Sequence, residues 1–317
     1  MKKKGSLKTV VESQKVSKRF ASPLRYPGGK GRLAPWLSEV LEHNGLTGGC
    51  YVEPYAGGAG VALYLLKNGF VNRIVLNDAD PFIHAFWRSV VHRTDAFVEK
   101  IMDVPVTMET RAHFQSILKE PKGHSQLEIG FAAFFLNRTS RSGILTGGVI
   151  GGNDQTGNYK IDARFNKDDL VSRIQSIGRM REQITVLGMD ARDLLLRKSK
   201  RFSKKTLIYL DPPYYVKGSH LYRNHYRPED HADIAACAQQ SKHPMLITYD
   251  DVPEIRELYS GMSSLNFSLK YSTGMTRPIA SEVLFYKNLC LPSPPNIVRS
   301  TGSGKASEAS SKRKKPV

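Results

Sequence analysis

Cysteine is scarce in these 317 residues: Cys50, Cys237 and Cys290 are widely spaced and form no paired C-x-x-C arrangement. That pattern supports neither a disulfide framework nor a zinc site, and the three read as ordinary buried thiols. Long apolar runs are also missing. The longest, from Ile129 to Leu136, falls far short of the roughly 18 to 20 residues a membrane helix needs. The start Met1-Lys2-Lys3-Lys4-Gly5 leads into no hydrophobic secretory core, so a cytoplasmic location with no membrane partner is expected. Acidic residues are few as well: 29 Asp and Glu stand against 47 Lys and Arg, a net charge of +18.

Such an excess favours a polyanionic partner, because phosphates supply most non-specific affinity through counterion release. Much of the charge sits in the tails. Lys2, Lys3, Lys4, Lys8, Lys15, Lys18 and Arg19 oppose Glu12 at one end, and Arg299, Lys305, Lys312, Arg313, Lys314 and Lys315 oppose Glu308 at the other. Basic arms on a basic body suit nucleic acid, although tails of this kind also serve only to keep a chain soluble. Residues 1–20 and 292–317 lack apolar periodicity and read as mobile arms.

Between the arms, short apolar runs alternate with helical stretches. Cys50-Tyr51-Val52-Glu53-Pro54 reads as a strand entering a Gly-rich turn, Val61 to Lys67 as the next helix, and Arg73 to Asp78 as a second strand. Thr206–Leu210, Met245–Tyr249 and Glu282–Tyr286 read as three more. The pattern predicts an α/β sheet with a largely parallel core. From about 89 to 185 no buried strand is evident; helical patterns surround the Gly-rich stretch from Gly143 to Gly157. This segment reads as an inserted domain, which divides the catalytic part into 21–88 and 186–291.

Two places carry chemistry. The turn from Glu53 to Gly60 joins a strand to a helix, and Asp78 closes the next strand eighteen positions later. Glycines let backbone approach a ligand, and an acid so placed accepts hydrogen bonds from ribose hydroxyls, so this is a candidate nucleoside-cofactor site. The turn is not G-x-G-x-x-G, which argues against a pyrophosphate-containing cofactor. The second place is Asp211-Pro212-Pro213-Tyr214, at the C-terminal edge of a predicted strand. A carboxylate and a main-chain carbonyl there can accept both N–H bonds of an amino group conjugated to a base and so raise its nucleophilicity. Prolines leave a corner that offers only carbonyl oxygens, and Tyr214 can stack on an extruded base. Asp-Pro-Pro is equally good turn chemistry.

Taken in order, these motifs resemble the Dam-type, D12-class DNA adenine methyltransferases. Tyr26-Pro27-Gly28-Gly29-Lys30 is similar to the family's aromatic-x-Gly-Gly-Lys element, Glu53 to Gly60 to its cofactor loop, Leu76-Asn77-Asp78 to its ribose-binding acid, and Asp211 to Tyr214 to its catalytic tetrapeptide. The resemblance implies a Rossmann-like class I methyltransferase sheet with an inserted, mostly helical target-recognition domain. The implied cofactor is S-adenosyl-L-methionine, with S-adenosyl-L-homocysteine as product. The implied reaction places a methyl group on N6 of an adenine flipped from double-stranded DNA, with no metal. By the same resemblance Asp211, Pro212 and Tyr214 act on the base, while Tyr26, Lys30, Glu53, Pro54, Tyr55, Gly57, Asp78, Asp190 and Asp211 line the cofactor site. A restriction or defence system is a conceivable partner on these grounds.

Asn137-Arg138-Thr139-Ser140-Arg141-Ser142 resembles the family's Asn-Arg recognition segment, with Arg141-Ser142 where GATC-specific members tend to carry an aromatic residue and an asparagine. That departure leaves the recognition sequence open. Asn137, Arg138, Arg141 and Ser142 are candidate DNA contacts, joined by Tyr222 and Arg223, which mix basic and aromatic character after the tetrapeptide. His220, His225 and His231 lack the partners of a metal site and read as polar loop or surface residues. Methylation of RNA adenine or of a cytosine amino group, or a non-catalytic nucleic-acid-binding regulator, are the alternatives.

Overall fold

Tyr51, Ile74, Leu207 and Leu246 point to one face of a sheet, and their neighbours Val52, Val75, Ile208 and Ile247 point to the other; all are buried. Alternation with both faces apolar is the signature of a parallel sheet covered on both sides. The computed structural model describes residues 22–26, 30–215, 226–270 and 279–295. Its strands are β1 (Cys50–Glu53), β2 (Arg73–Asn77), β3 (Ile184–Leu187), β4 (Thr206–Leu210), β5 (Met245–Asp250), β6 (Ser263–Lys270) and β7 (Ile279–Lys287). They form one sheet in the order β3-β2-β1-β4-β5-β7-β6. The first five are parallel, and β7 runs antiparallel to both β5 and β6.

On one face lie α1 (Ala34–His43), α2 (Gly60–Lys67), α3 (Pro81–His92), α4 (Thr94–Asp103), α5 (Met108–Lys119), α6 (Gln126–Thr139) and α7 (Lys167–Gly178). The other face is covered by α8 (Pro228–Gln240), α9 (Pro253–Leu258) and an irregular helical stretch through 191–201. Helix starts follow their caps: Asp80 accepts from Phe82 N ahead of Pro81, and Ser125 with Glu128 forms a capping box at α6. The helices α3–α7 between β2 and β3 share one hydrophobic cluster with the sheet. At its centre Phe134 is fully buried, with ring centroids of Phe86, Phe97, Phe131 and Phe165 5.4–5.9 Å away. Phe134→Ala is expected to cost about 3–5 kcal/mol, because a rigid ring cage collapses poorly onto the void. A urea-unfolding midpoint checks this; a change under 1 kcal/mol contradicts it.

Three details differ from the sequence reading. The strands β3 and β6 were not anticipated: β3 has four residues with Thr185 exposed, and β6 is largely polar. Residues 292–295, assigned to the mobile tail, are held against the body, where Trp36 Nε1 donates to Ser293 O at 2.8 Å and Pro295 is buried. Cys237 is buried and Cys50 half-buried, but Cys290 is exposed because it lies beyond the end of β7. No helix among the described residues is long and apolar enough to cross a membrane.

Candidate active site

The parallel strands all end on one edge, where open α/β sheets bind their ligands. Asn77, at the end of β2, ties that edge together. Its amide donates to Pro54 O and Met189 O, and its Oδ1 accepts from Met189 N, all at 2.9 Å. One buried side chain thus fixes the loops after β1, β2 and β3. Next to it Asp78 accepts from Gly57 N (2.8 Å) and Asp80 N (3.0 Å). Burial still pushes the Asp78 carboxyl up to about 7.

The turn after β1 is tight. Gly57 has φ +43, and a Cβ there would stand 2.7 Å from the Tyr26 ring, so Tyr26 lies directly on the turn. Trp87 Nε1 holds Gly57 O at 2.8 Å. Ala59 is left-handed at φ 48 and caps α2, a conformation that costs a non-glycine residue roughly 1–2 kcal/mol. Glu53 is buried beneath the turn. Its Oε1 accepts from Ala62 N at 3.2 Å, and burial raises the carboxyl to about 8 against the lowering effect of that bond and of the neighbouring Tyr51 hydroxyl. Tyr55 Oη meets Tyr226 Oη at 2.9 Å. Asp190 caps the 191–193 turn through Oδ1 and is exposed.

Across β4 the tetrapeptide sits at the same edge. Asp211 Oδ1 accepts from Thr248 Oγ1 (2.8 Å) and pairs with Lys30 Nζ (3.1 Å); neither contact touches Oδ2, and the side chain is 25% exposed. Pro212 and Pro213 are buried, and no backbone N–H among the described residues donates to the Pro212 carbonyl. Tyr215 N is held by Asp250 Oδ1 at 3.0 Å, which pins the corner to β5. Tyr214 Oη donates to Glu282 Oε1 and accepts from Lys30 Nζ, each at 3.1 Å, and Lys30 Nζ also lies 3.3 Å from Glu282 Oε2. Lys30 and Glu282 are buried.

Glu282 is the residue that sequence reasoning read only as part of a strand. Antiparallel β7 brings its N-terminal end to the edge where β5 finishes, pairing Glu282 with Asp250. Burial pushes its carboxyl up, Lys30 pulls it down, and the balance falls at about 7. Glu282 is therefore poised to change charge near neutral pH.

The segment from Asn137 to Ser142 is held just as firmly. The buried Asn137 side chain accepts from Arg25 N (2.8 Å) and donates to Arg25 O and Gly143 O (2.7 Å each). The structure therefore gives Asn137 a positioning role, with its amide used on backbone. Buried Arg111, another residue without a sequence signal, donates to Thr139 Oγ1, Ser140 Oγ and Gly147 O. Arg138 is half-buried, Arg141 exposed and Ser142 half-buried with φ 56. His231 is buried in α8 rather than on a loop or the surface, its Nδ1 2.9 Å from Tyr249 Oη. Tyr222, Arg223, His220 and His225 lie outside the described residues, as do Pro27, Gly28 and Gly29.

A glycine turn and an acid at neighbouring strand ends, beside a half-buried carboxylate on a proline corner, form a candidate site on the C-terminal edge of an α/β sheet. Residues 26–274 match the D12 class N6 adenine-specific DNA methyltransferase family, and the chain belongs to it. It is similar to the Type II methyltransferase M.MjaIII of Methanocaldococcus jannaschii, 22% identical over 204 residues, 60% of this chain and 68% of the relative. It is also similar to the Type II methyltransferase M.CviBI of Paramecium bursaria Chlorella virus NC1A, 22% identical over 255 residues, 78% of this chain and 90% of the relative. The sheet is of the class I methyltransferase kind, and the enzyme methylates adenine in DNA.

Proposed function

We propose that the chain is a site-specific methyltransferase that binds S-adenosyl-L-methionine on the turn after β1 and acts on an adenine flipped from duplex DNA at Asp211–Tyr214. The observation that carries this is the pair of open acceptors at the strand edge: Asp211 Oδ2, left clear by contacts that fall on Oδ1, and the Pro212 carbonyl. An adenine amino group has two N–H bonds to give. When both are accepted, its lone pair is less committed to the ring and more nucleophilic. Asp211 then receives the proton that the nitrogen sheds on gaining a carbon, and its exposed side passes that proton to water. Tyr214, held by Glu282 and Lys30 through its hydroxyl, presents its ring to the base.

The cofactor residues fit such a donor. Asp78 retains acceptor capacity for ribose hydroxyls, buried Glu53 supports the turn from beneath, and Tyr26, Lys30, Pro54, Tyr55 and Asp190 surround the same edge. When bound, the cofactor supplies an electrophilic methyl on sulfur. Exposed Arg141, with Arg138 and Ser142 beside it, forms the DNA-facing edge of the helical insertion at 89–185. We assign Tyr222 and Arg223 to the same role from sequence. The Type II names of both relatives extend the proposal to a cognate restriction partner, and the expected compartment is the cytoplasm. Calorimetric titration with S-adenosyl-L-methionine tests the cofactor assignment. Saturable binding is expected, weakened about tenfold in Gly57→Ala, or about 1.4 kcal/mol, because a left-handed alanine pressed on Tyr26 must shift the turn. Absence of binding by the unaltered chain overturns it.

A further inference from the structure

Four arginines gather where the segment 22–26 crosses the helical layer. Arg173 Nη1 donates to Ser22 O (2.8 Å), Arg138 Nη1 to Pro23 O (3.4 Å) and Nε to Arg164 O (2.6 Å), and Arg25 Nη1 to Ser140 O (2.9 Å). Among the described residues the one ion pair these four make is Arg173 with Asp169, at 2.8 Å. The remaining partners are neutral carbonyls. A guanidinium carries five N–H donors, so among the described residues most of this donor capacity is unmatched by protein acceptors.

The charges are close enough to feel one another. Burial, then Arg25 and Arg173, pulls Arg138 down to about 10, and burial with Arg164 lowers Arg25. Both remain cationic at neutral pH. Asp169 supplies the one carboxylate near Arg173 and Arg138, so the four cations outnumber it, and an added anion would relieve the repulsion that remains. The exposed Arg164 guanidinium lies 5.4 Å over the ring of Tyr159, which is 63% exposed, so the cluster opens to solvent on that side. Planar forked donors match the oxygens of a phosphate better than any other common anion of this size, save carboxylate.

On the reading that duplex DNA is the substrate, we propose that Arg25, Arg138, Arg164 and Arg173 form an anion site that takes a single backbone phosphate outside the catalytic pocket. Arg25 adjoins Tyr26, whose ring lies on the cofactor turn, so a phosphate here also steadies the chain that covers Gly57. The contact positions the duplex without reading its sequence.

The test is duplex binding by the full chain, followed by fluorescence anisotropy across a salt series, with Arg164→Gln and Arg25→Gln. The Arg164 side chain holds no hydrogen bond among the described residues, so its variant is the safer fold. Each variant is expected to lower the slope of log affinity against log salt by about 0.9, the value of one phosphate. The double variant is expected to lower it no further, because a single phosphate is shared. Exposed Lys122→Gln should keep the full slope. Unchanged slopes in arginine variants that melt like the parent overturn the proposal. Inorganic phosphate that raises the parent melting temperature, with duplex slopes unaffected by the variants, overturns it in favour of a free-anion site. A parent chain with no salt-dependent duplex binding removes the DNA reading itself, and is seen before any variant is made.

Discussion

Asp211→Ala is expected to lower the rate of methyl transfer by about 10³-fold or more, with S-adenosyl-L-methionine affinity changed far less. Removing one preorganised polar group from a transition-state site costs on the order of 10²–10³ in rate, and the proposed mechanism uses Asp211 twice, as acceptor of an amino N–H and as receiver of its proton. Its removal does not strand a buried charge: Lys30 keeps Glu282 at 3.3 Å. The fold should therefore persist, and single-turnover kinetics on unmethylated duplex can be compared directly. Asp211→Asn should fall between the two, since it keeps an acceptor oxygen but not the negative charge. Parent-like transfer in Asp211→Ala would contradict the assignment.

Glu282→Gln is expected to lower kcat by about 10–10²-fold and to change its pH dependence. In the parent the Glu282 carboxyl titrates at about 7. Below that pH it is protonated and no longer an anion for the Tyr214 hydroxyl and Lys30, so kcat should decline as pH falls through about 7. Glutamine has nearly the same shape but cannot ionise, so the variant should be slow and flat across that window. Measuring kcat at saturating cofactor keeps the titration of free-enzyme Asp78, also at about 7, out of the profile. A merely structural loss would reduce the rate and leave the acid limb in place, and that outcome would contradict the role given to Glu282.

Much of this architecture is legible in the sequence. The strands β1, β2, β4, β5 and the Val283–Phe285 stretch of β7 announce themselves because their cores are buried on both faces and are therefore short apolar runs. By contrast β3 exposes Thr185, and β6 is an edge strand whose polar residues mask its alternation. The proline corner at Asp211–Tyr214 and the tight turn after β1 were legible as turns because glycine and proline chemistry is local. Glu282 was not, because its closeness to Lys30 and Tyr214 comes from β7 running backwards along β5, a tertiary event without local signal. Asn137 shows the converse: its place in the Asn-Arg segment suggested a DNA contact, but its amide is wrapped around the Arg25 backbone.

The central claim is adenine methylation of DNA at a recurring site, through Asp211. Expressing the chain in a host that lacks adenine methylation, with Asp211→Ala alongside, and mapping modified adenines across the genome tests it most directly. The account predicts N6-methyladenine at one recurring motif in cells carrying the parent chain and none in cells carrying the variant. A genome left unmodified by a soluble, cofactor-binding parent chain, or modified equally by both, would contradict it.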